Sequence, residues 1–107
     1  MHKERPQVKE IIEEYKHALQ KLGINVERAI LYGSHALGTQ REDSDIDLIV
    51  VSSDFQNLNL RERLEVLGIA AARILQPIEA RGYVPEEINT ASDNSFLKEA
   101  LEAGVGI

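Results

Sequence analysis

The sequence predicts a single α/β (α+β) domain in which helices cover a small mixed β-sheet. Helical and strand-like patterns alternate along the chain, the strand-like runs are short and rich in β-branched residues, and 107 residues suit one hydrophobic core. The expected order of elements is α-β-α-β-α-β-α within one domain that spans residues 1–107. The pattern leaves the order of the strands in the sheet open.

The first half of the chain is predicted to contain a long helix, a strand and a short helical segment. Residues 6–22 have apolar side chains at helical spacing, and Gly23 is suited to end that helix. Residues 26–32 are expected to form the first strand. Residues 34–37 could then form one or two helical turns, followed by the polar, turn-rich residues 38–44.

The second half is predicted to contain two strands and two helices. Residues 46–51 form an apolar, β-branched strand that Asp47 interrupts, and Asn59 with Glu62 resembles a capping box at the start of a long helix. The apolar face expected for that helix comprises Leu60, Leu64, Leu67, Ala71 and Ile74. Residues 78–84 are expected to form the third strand and residues 96–103 the last helix.

Composition excludes several classes of protein. The net charge of -6 disfavours nucleic acid as the main partner, because binding to the phosphate backbone normally requires a basic surface. The chain has no cysteine, so it has no disulfide or thiolate metal site, which fits a reducing compartment. It also has no apolar stretch long enough to cross a membrane and no apolar core of a signal peptide, which favours a cytoplasmic protein.

Two aspartates at the start of the second strand form a candidate metal site. Asp45 and Asp47 are two residues apart, so on an extended chain both side chains project to one face, with Cα atoms about 6.6 Å apart. Carboxylate oxygens are the ligands that Mg²⁺ prefers, and the ion keeps further positions for water and phosphate. The same pair also occurs in glycosyltransferases and in ordinary surface turns.

Gly33 and Ser34 form a candidate anion site at the end of the first strand. A glycine permits a tight turn or a close approach of the backbone to a ligand, and free N–H groups at a helix start bind anions. The alternative is structural, with Gly33 forming a turn and Ser34 capping a helix. Together with Asp45 and Asp47, however, the pair places an anion site and a cation site at the ends of two strands. A metal-bound nucleoside triphosphate requires both.

The stretch GSHALGTQREDSDIDL, residues 33–48, resembles the signature of nucleotidyltransferases of the DNA polymerase β type. Its second glycine and the serine before the first aspartate are similar to the minimal nucleotidyltransferases (MNT). These are single-domain proteins usually encoded beside a helical HEPN protein, as the antitoxin of a toxin–antitoxin pair. The resemblance extends over nearly the whole chain and implies the polymerase β-type nucleotidyltransferase fold.

The resemblance also implies a third carboxylate, which the family normally takes from an aspartate on a later strand. Glu79 occupies the matching position and is the only acid within the third strand, on the face opposite Ile78 and Ala80. By this resemblance Asp45, Asp47 and Glu79 are the catalytic residues and bind two Mg²⁺ ions, with Mn²⁺ as the alternative metal. The extra methylene of glutamate departs from the family pattern and could weaken catalysis, because ligand geometry around Mg²⁺ is demanding.

The residues expected to contact the nucleotide lie in the same signature. They are Gly33, Ser34, Arg41 and Ser44. Arg81, on the same face of the third strand as Glu79, is expected to pair with that glutamate rather than contact a phosphate.

The leading functional hypothesis is a Mg²⁺-dependent nucleotidyltransferase that transfers AMP from ATP to a tyrosine hydroxyl of a HEPN toxin. The alternative is an antitoxin with weak or no catalysis that silences its partner by docking. A small-molecule nucleotidyltransferase of the aminoglycoside type is disfavoured by the size of the domain.

Overall fold

A computed structural model of the protein describes residues 8–33, 45–90 and 95–106. Five helices and four strands lie in these ranges. In chain order they are helix α1 (Val8–Lys21), strand β1 (Arg28–Tyr32), strand β2 (Ile46–Val51), a 3-10 helix (Ser53–Asn57), helix α2 (Leu60–Arg73), strand β3 (Ile78–Tyr83), helix α3 (Pro85–Asn89), helix α4 (Ser95–Ala103) and strand β4 (Val105–Gly106).

The strands form one mixed sheet in the order β3-β2-β1-β4. Strand β1 is antiparallel to both β2 and β4, whereas β2 and β3 are parallel and are connected through α2. Parallel neighbours need a long crossover connection, which the helix provides. The predicted mixed sheet is confirmed, and β3 is an edge strand in the described part of the chain.

Both faces of the sheet are covered by helices. Alternate residues of β2 point to opposite faces: Leu48 and Val50 belong to the core formed with α1 and α2, and Ile49 belongs to the core formed with Leu97 and Ala100 of α4. On the first face, the buried hydroxyl of Tyr15 in α1 donates a hydrogen bond to the carbonyl of Leu67 in α2, at 2.8 Å.

The expected bounds of the major elements agree with the structure to within about two residues, and β2 agrees fully. The predicted helical turns at residues 34–37 lie outside the described residues. Helix α3 and the two-residue strand β4 were not predicted from the sequence. No helix in the described ranges is both long enough and apolar enough to cross a membrane.

The predicted apolar face of α2 is wrong in its first half. Leu60 is 70% exposed and Leu64 is 50% exposed, whereas Leu67 and Ala71 are buried. Leu60 and Leu64 therefore do not pack on the sheet, although the helix begins as predicted. The Asn59 side chain accepts a hydrogen bond from the Glu62 N–H at 2.8 Å, and the Glu62 carboxylate accepts one from the Asn59 N–H at 2.9 Å.

The segment between β2 and α2 packs against β3 through Phe55 and Gly82. Phe55 is fully buried, and a Cβ at Gly82 would come within 2.9 Å of two of its ring carbons. A glycine is therefore required at position 82 for the ring to lie flat against the strand.

Candidate functional site

The carboxylates of Asp47 and Glu79 lie on adjacent parallel strands. Asp47 in β2 is in direct register with Glu79 in β3, so their side chains are neighbours on one face of the sheet, at a strand spacing of about 4.8 Å. The backbone N–H of Ile46 donates to the carbonyl of Pro77 at 2.8 Å and fixes this register at the start of both strands. Asp47 is half-buried and Glu79 is exposed.

Asp45 lies just before β2, two residues from Asp47, and its side chain is exposed. The backbone therefore places Asp45 at the same edge of the sheet as the Asp47–Glu79 pair. Across residues 8–33, 45–90 and 95–106, no three acidic or histidine side chains are grouped closely enough to form a metal site. Side-chain rotation of the exposed Asp45 and Glu79 would be needed to direct three carboxylates at one point.

Gly33 brings the end of β1 against the Asp47 side chain. Tyr32, the residue before it, is the cross-strand partner of Asp47. Gly33 has a φ of +74°, and a Cβ at this position would lie 3.1 Å from Cγ of Asp47 and would overlap Oδ2. Both the left-handed backbone and the lack of space require glycine here. The backbone can therefore pass directly beside the carboxylate.

Tyr32 connects the carboxylates to Arg81. Burial raises the pKa of the Tyr32 hydroxyl, a hydrogen bond from Arg81 opposes that rise, and the charges of Asp47 and Glu79 add to it. The strand pairing agrees with these influences, because Tyr32 is directly opposite Asp47 and Asp47 is directly opposite Glu79, so the three side chains share one face of the sheet. Tyr32 is thus positioned between the acidic edge of the sheet and a basic residue on β3.

Phe96 at the start of α4 completes this group. Its ring lies edge-on to the Tyr32 ring, with centroids 5.7 Å apart, and the Arg81 guanidinium lies over it at 4.6 Å from the centroid. Such a contact between a cation and a ring is favourable and also holds the guanidinium plane in one orientation. In the described part of the chain Arg81 forms no ion pair with Glu79, so the expected pairing is wrong: the guanidinium packs on the Phe96 ring instead.

The other predicted nucleotide contacts, Ser34, Arg41 and Ser44, lie outside the described residues. Tyr32 and Phe96 were not predicted as site residues from the sequence. Tyr32 could have been found, because it directly precedes Gly33 and strand alternation places it beside Asp47. Phe96 gave no such signal, because its position depends on how α4 packs on the sheet.

Two surface grooves differ in their relation to this group. A groove of about 550 Å³ between α1 and the end of α2 is lined by Glu13, His17 and Arg73, on the opposite face of the sheet from Asp47. A second groove, of about 400 Å³, follows the edge of β3 and includes Arg81 among its lining residues. Of these two grooves, only the second shares a residue, Arg81, with the group of side chains around Asp47 and Glu79.

Comparison with known families decides the class of this protein. The family model described as the nucleotidyltransferase domain matches residues 8–102. The chain belongs to the nucleotidyltransferase domain family. The matched range contains the whole of the described site, from Tyr32 and Gly33 to Phe96.

One of two similar solved structures supports the nucleotidyltransferase fold. A candidate nucleotidyltransferase from Sulfolobus solfataricus has 18% sequence identity and a TM-score of 0.52, and the match covers 84% of each chain. A crystal structure of a toxin–antitoxin with AMP-PNP has 27% identity and a TM-score of 0.49 over 65% of this chain, which spans just over half (56%) of that one. No curated protein matches the chain. The predicted family and fold are confirmed, and the assignment of individual site residues stays a prediction.

Proposed function

We propose that this nucleotidyltransferase domain transfers AMP from ATP to a tyrosine hydroxyl of a helical, HEPN-type toxin and so acts as its antitoxin. The observation that supports this most directly is the position of Asp47 between Gly33 and Glu79. A backbone turn suited to phosphate lies on one side of the carboxylate, and a second carboxylate lies on the other.

The donor set suits a hard divalent cation. Asp45, Asp47 and Glu79 offer only carboxylate oxygens, and in the proposal they hold Mg²⁺, with Mn²⁺ as a substitute. Because Gly33 has no side chain, its polar backbone rather than an apolar group lies beside the Asp47 carboxylate. Bound metal would neutralise charge on the triphosphate and stabilise the departing pyrophosphate.

The residues of the chain perform the remaining tasks. Gly33 lets the backbone approach the β- and γ-phosphates, and Ser34, Arg41 and Ser44 are proposed to bind them. The acceptor oxygen forms a bond to the α-phosphorus, the bond from that phosphorus to the bridging oxygen breaks, and pyrophosphate leaves. The hydroxyl proton passes to solvent. Catalysis by this route depends mostly on positioning and charge stabilisation.

The acceptor is proposed to be a protein rather than a nucleic acid. The net charge of -6 opposes the approach of a polyphosphate backbone. A single nucleoside triphosphate differs, because its charge is compensated by the metal ions that accompany it.

An antitoxin that acts by docking alone is the second candidate. Two observations favour it: Glu79 stands where the family has aspartate, and the described residues contain no group of three side chains ready to hold a metal. Under this hypothesis the partner is silenced by the complex itself, without a covalent change.

The test is transfer of label from ATP that carries it on the α-phosphate, with Mg²⁺ and a helical, HEPN-type protein as the acceptor. Label should appear on a tyrosine of that protein and not on DNA or RNA. Asp45→Ala and Asp47→Ala should abolish transfer, since each removes a proposed metal ligand. Ser34→Ala should reduce it less, because backbone N–H groups would still bind the phosphates.

Two controls separate the alternatives. Transfer of label from the γ-phosphate would identify a kinase and overturn the proposed reaction. A partner that is silenced equally by the parent and by Asp47→Ala, with no label transferred, would identify the docking antitoxin.

A further inference from the structure

The stereochemistry of the proposed reaction predicts the direction from which the acceptor arrives. In phosphoryl transfer the attacking and leaving oxygens lie roughly in line on opposite sides of the phosphorus. In the proposed site the leaving pyrophosphate points towards Gly33, at the end of β1. The acceptor must therefore approach from the β3 side, past Glu79.

Strand β3 is open on that side in the described part of the chain. It pairs with β2 and has no strand partner on its other edge. Arg81, two residues beyond Glu79 on the same face, is the next polar side chain along this path. An acceptor that reaches Glu79 across this edge therefore contacts Arg81.

A groove of about 400 Å³ follows the same edge and is shaped by the exposed start of α2. The residues that define it are Leu60, Arg63, Leu64, Arg81, Tyr83 and Glu87. The two leucines are the exposed ones on α2, so the groove has an apolar wall. Arg81 belongs both to this groove and to the group around Tyr32, which makes the two regions continuous.

The charges in the groove favour an acidic partner. Arg63 is fully engaged: its Nη1 donates to the Glu87 carboxylate at 2.8 Å and to the Gly82 carbonyl at 3.2 Å. Arg81 makes no ion pair among the described residues and is exposed. Among the described residues that line the groove, Arg81 is therefore the cation without a carboxylate partner, and it can contact a carboxylate of a docked protein.

The edge of β3 is poorly suited to adding a strand from the partner. The carbonyl of Tyr83 accepts a hydrogen bond from the Ser52 N–H on the β2 side, so the carbonyl of Gly82 faces outwards. That outward carbonyl is already bonded to Arg63. A helix forms its backbone hydrogen bonds internally and needs none from the strand edge. It therefore fits this edge better than an extended peptide does.

We infer that this β3 groove is the docking surface for the acceptor protein, and that the occupant is an amphipathic helix with aliphatic side chains for Leu60 and Leu64 and a carboxylate for Arg81. The inference rests on the proposed function for the direction of approach. It goes beyond that function by assigning the surface and the chemistry of the partner.

The test measures binding of a labelled helical, HEPN-type protein, without nucleotide, so that docking is observed apart from catalysis. The double variant Leu60→Ser/Leu64→Ser should weaken the complex about tenfold or more, because two leucine side chains lose their burial. Its binding of ATP with Mg²⁺ should equal that of the parent. The matched control is Ile69→Ser/Leu75→Ser, which removes two apolar residues that are also exposed, at 48% and 87%, but lie outside the groove.

Arg81→Gln supplies a second measurement. It should weaken binding and also reduce the dependence of affinity on salt, which a merely structural role would not do. Equal affinity of the parent and the groove double variant, equal losses in the two double variants, or no complex with the parent would each overturn the inference. Groove-dependent binding without label transfer would support the docking surface and count against the proposed catalytic function.

Discussion

Gly33 and Asp47 are in contact across the β1–β2 pair, with no space between them for even one additional carbon. The place of a Cβ on Gly33 is already occupied by the Asp47 carboxylate. Gly33 also has a φ of +74°, and Gly23 has a similar value, +93°, but with no atom within 4 Å of its Cβ position. Residues 8–33, 45–90 and 95–106 thus contain two glycines with a left-handed backbone, of which one adjoins the candidate site.

Gly33→Ala should inactivate the protein without unfolding it. Both Gly33→Ala and Gly23→Ala should lower the free energy of unfolding by about 1 kcal/mol, because alanine is strained in the left-handed backbone conformation. Urea denaturation measures this loss. Only the first also displaces the Asp47 carboxylate. Label transfer should therefore fall at least about tenfold in Gly33→Ala and stay near the parent value in Gly23→Ala. Equal activity of the two variants would show that the orientation of Asp47 does not matter.

Glu79→Gln should reduce the stabilisation that Mg²⁺ provides. Glu79 is exposed, so the substitution should change the free energy of unfolding without metal by no more than about 0.5 kcal/mol. A ligand bound only by the native state raises stability by about 2.7 kcal/mol at a hundred times its Kd, and this gain should shrink in the variant. Thermal melts with and without Mg²⁺ measure it. Glu65→Gln, an exposed acid on α2, is the control and should respond like the parent.

Glu79→Asp should transfer AMP at least as fast as the parent. The substitution restores the residue type of the family and shortens the side chain by one methylene, without changing its charge or its register with Asp47. Single-turnover rates at saturating Mg²⁺ test this. A slower aspartate variant would mean that the longer side chain is needed to reach the metal from β3.

The stability of the protein should decline above about pH 10, the usual pKa of an exposed tyrosine. Burial raises the pKa of Tyr15, and also those of Tyr32 and Tyr83. A raised pKa means that the native state keeps its proton after the unfolded chain has lost it. The stability that these protonated hydroxyls contribute is complete below pH 10 and is lost as the pH rises further. For the buried Tyr15 the loss is up to about 1.4 kcal/mol per pH unit, and for Tyr32 and Tyr83 it is smaller, because solvent screens these more exposed hydroxyls.

Tyr15→Phe tests how much of the loss of stability above pH 10 comes from Tyr15, the most deeply buried of the three tyrosines. It removes the hydrogen bond to Leu67, so it should cost about 1 kcal/mol at pH 8, and it should make the decline above pH 10 less steep. Urea unfolding between pH 8 and pH 11.5 measures both effects. A decline as steep as that of the parent would exclude Tyr15 as its source.

Gly82→Ala should destabilise the fold by about 1–3 kcal/mol, because its Cβ would overlap the Phe55 ring. The smaller side chain in Phe55→Leu should offset part of that loss in the double variant. Additive free energies of unfolding in the double-mutant cycle would show that the two residues do not interact.

Much of the fold followed from the sequence because local patterns determine it. The bounds of β2 and the capping box of Asn59 with Glu62 depend on neighbouring residues only, and both were predicted. The outward position of Leu60 and Leu64 was not, because helical spacing shows which residues share a face but not how far the sheet extends beneath them. Strand β4 has two residues and depends entirely on its pairing with β1.

The candidate site was predictable to a similar extent. Strand alternation and the family signature located Asp47 and Glu79 on one face, which agrees with the observed register. The neighbours of Arg81 were not predictable, because Phe96 comes from a helix distant in sequence and Tyr32 reaches across a strand. Long side chains select among such partners only once the tertiary structure exists.

The pairing of Asp47 with Glu79 across parallel strands has a kinetic consequence. We expect this pairing to form late in folding, because β2 and β3 are joined by a long helical crossover that must be closed before the strands can pair. The two carboxylates would then become neighbours when much of the native surface is already buried. During refolding, binding of metal and nucleotide should therefore be regained at the same rate as the whole fold. A partly folded chain should bind neither of them.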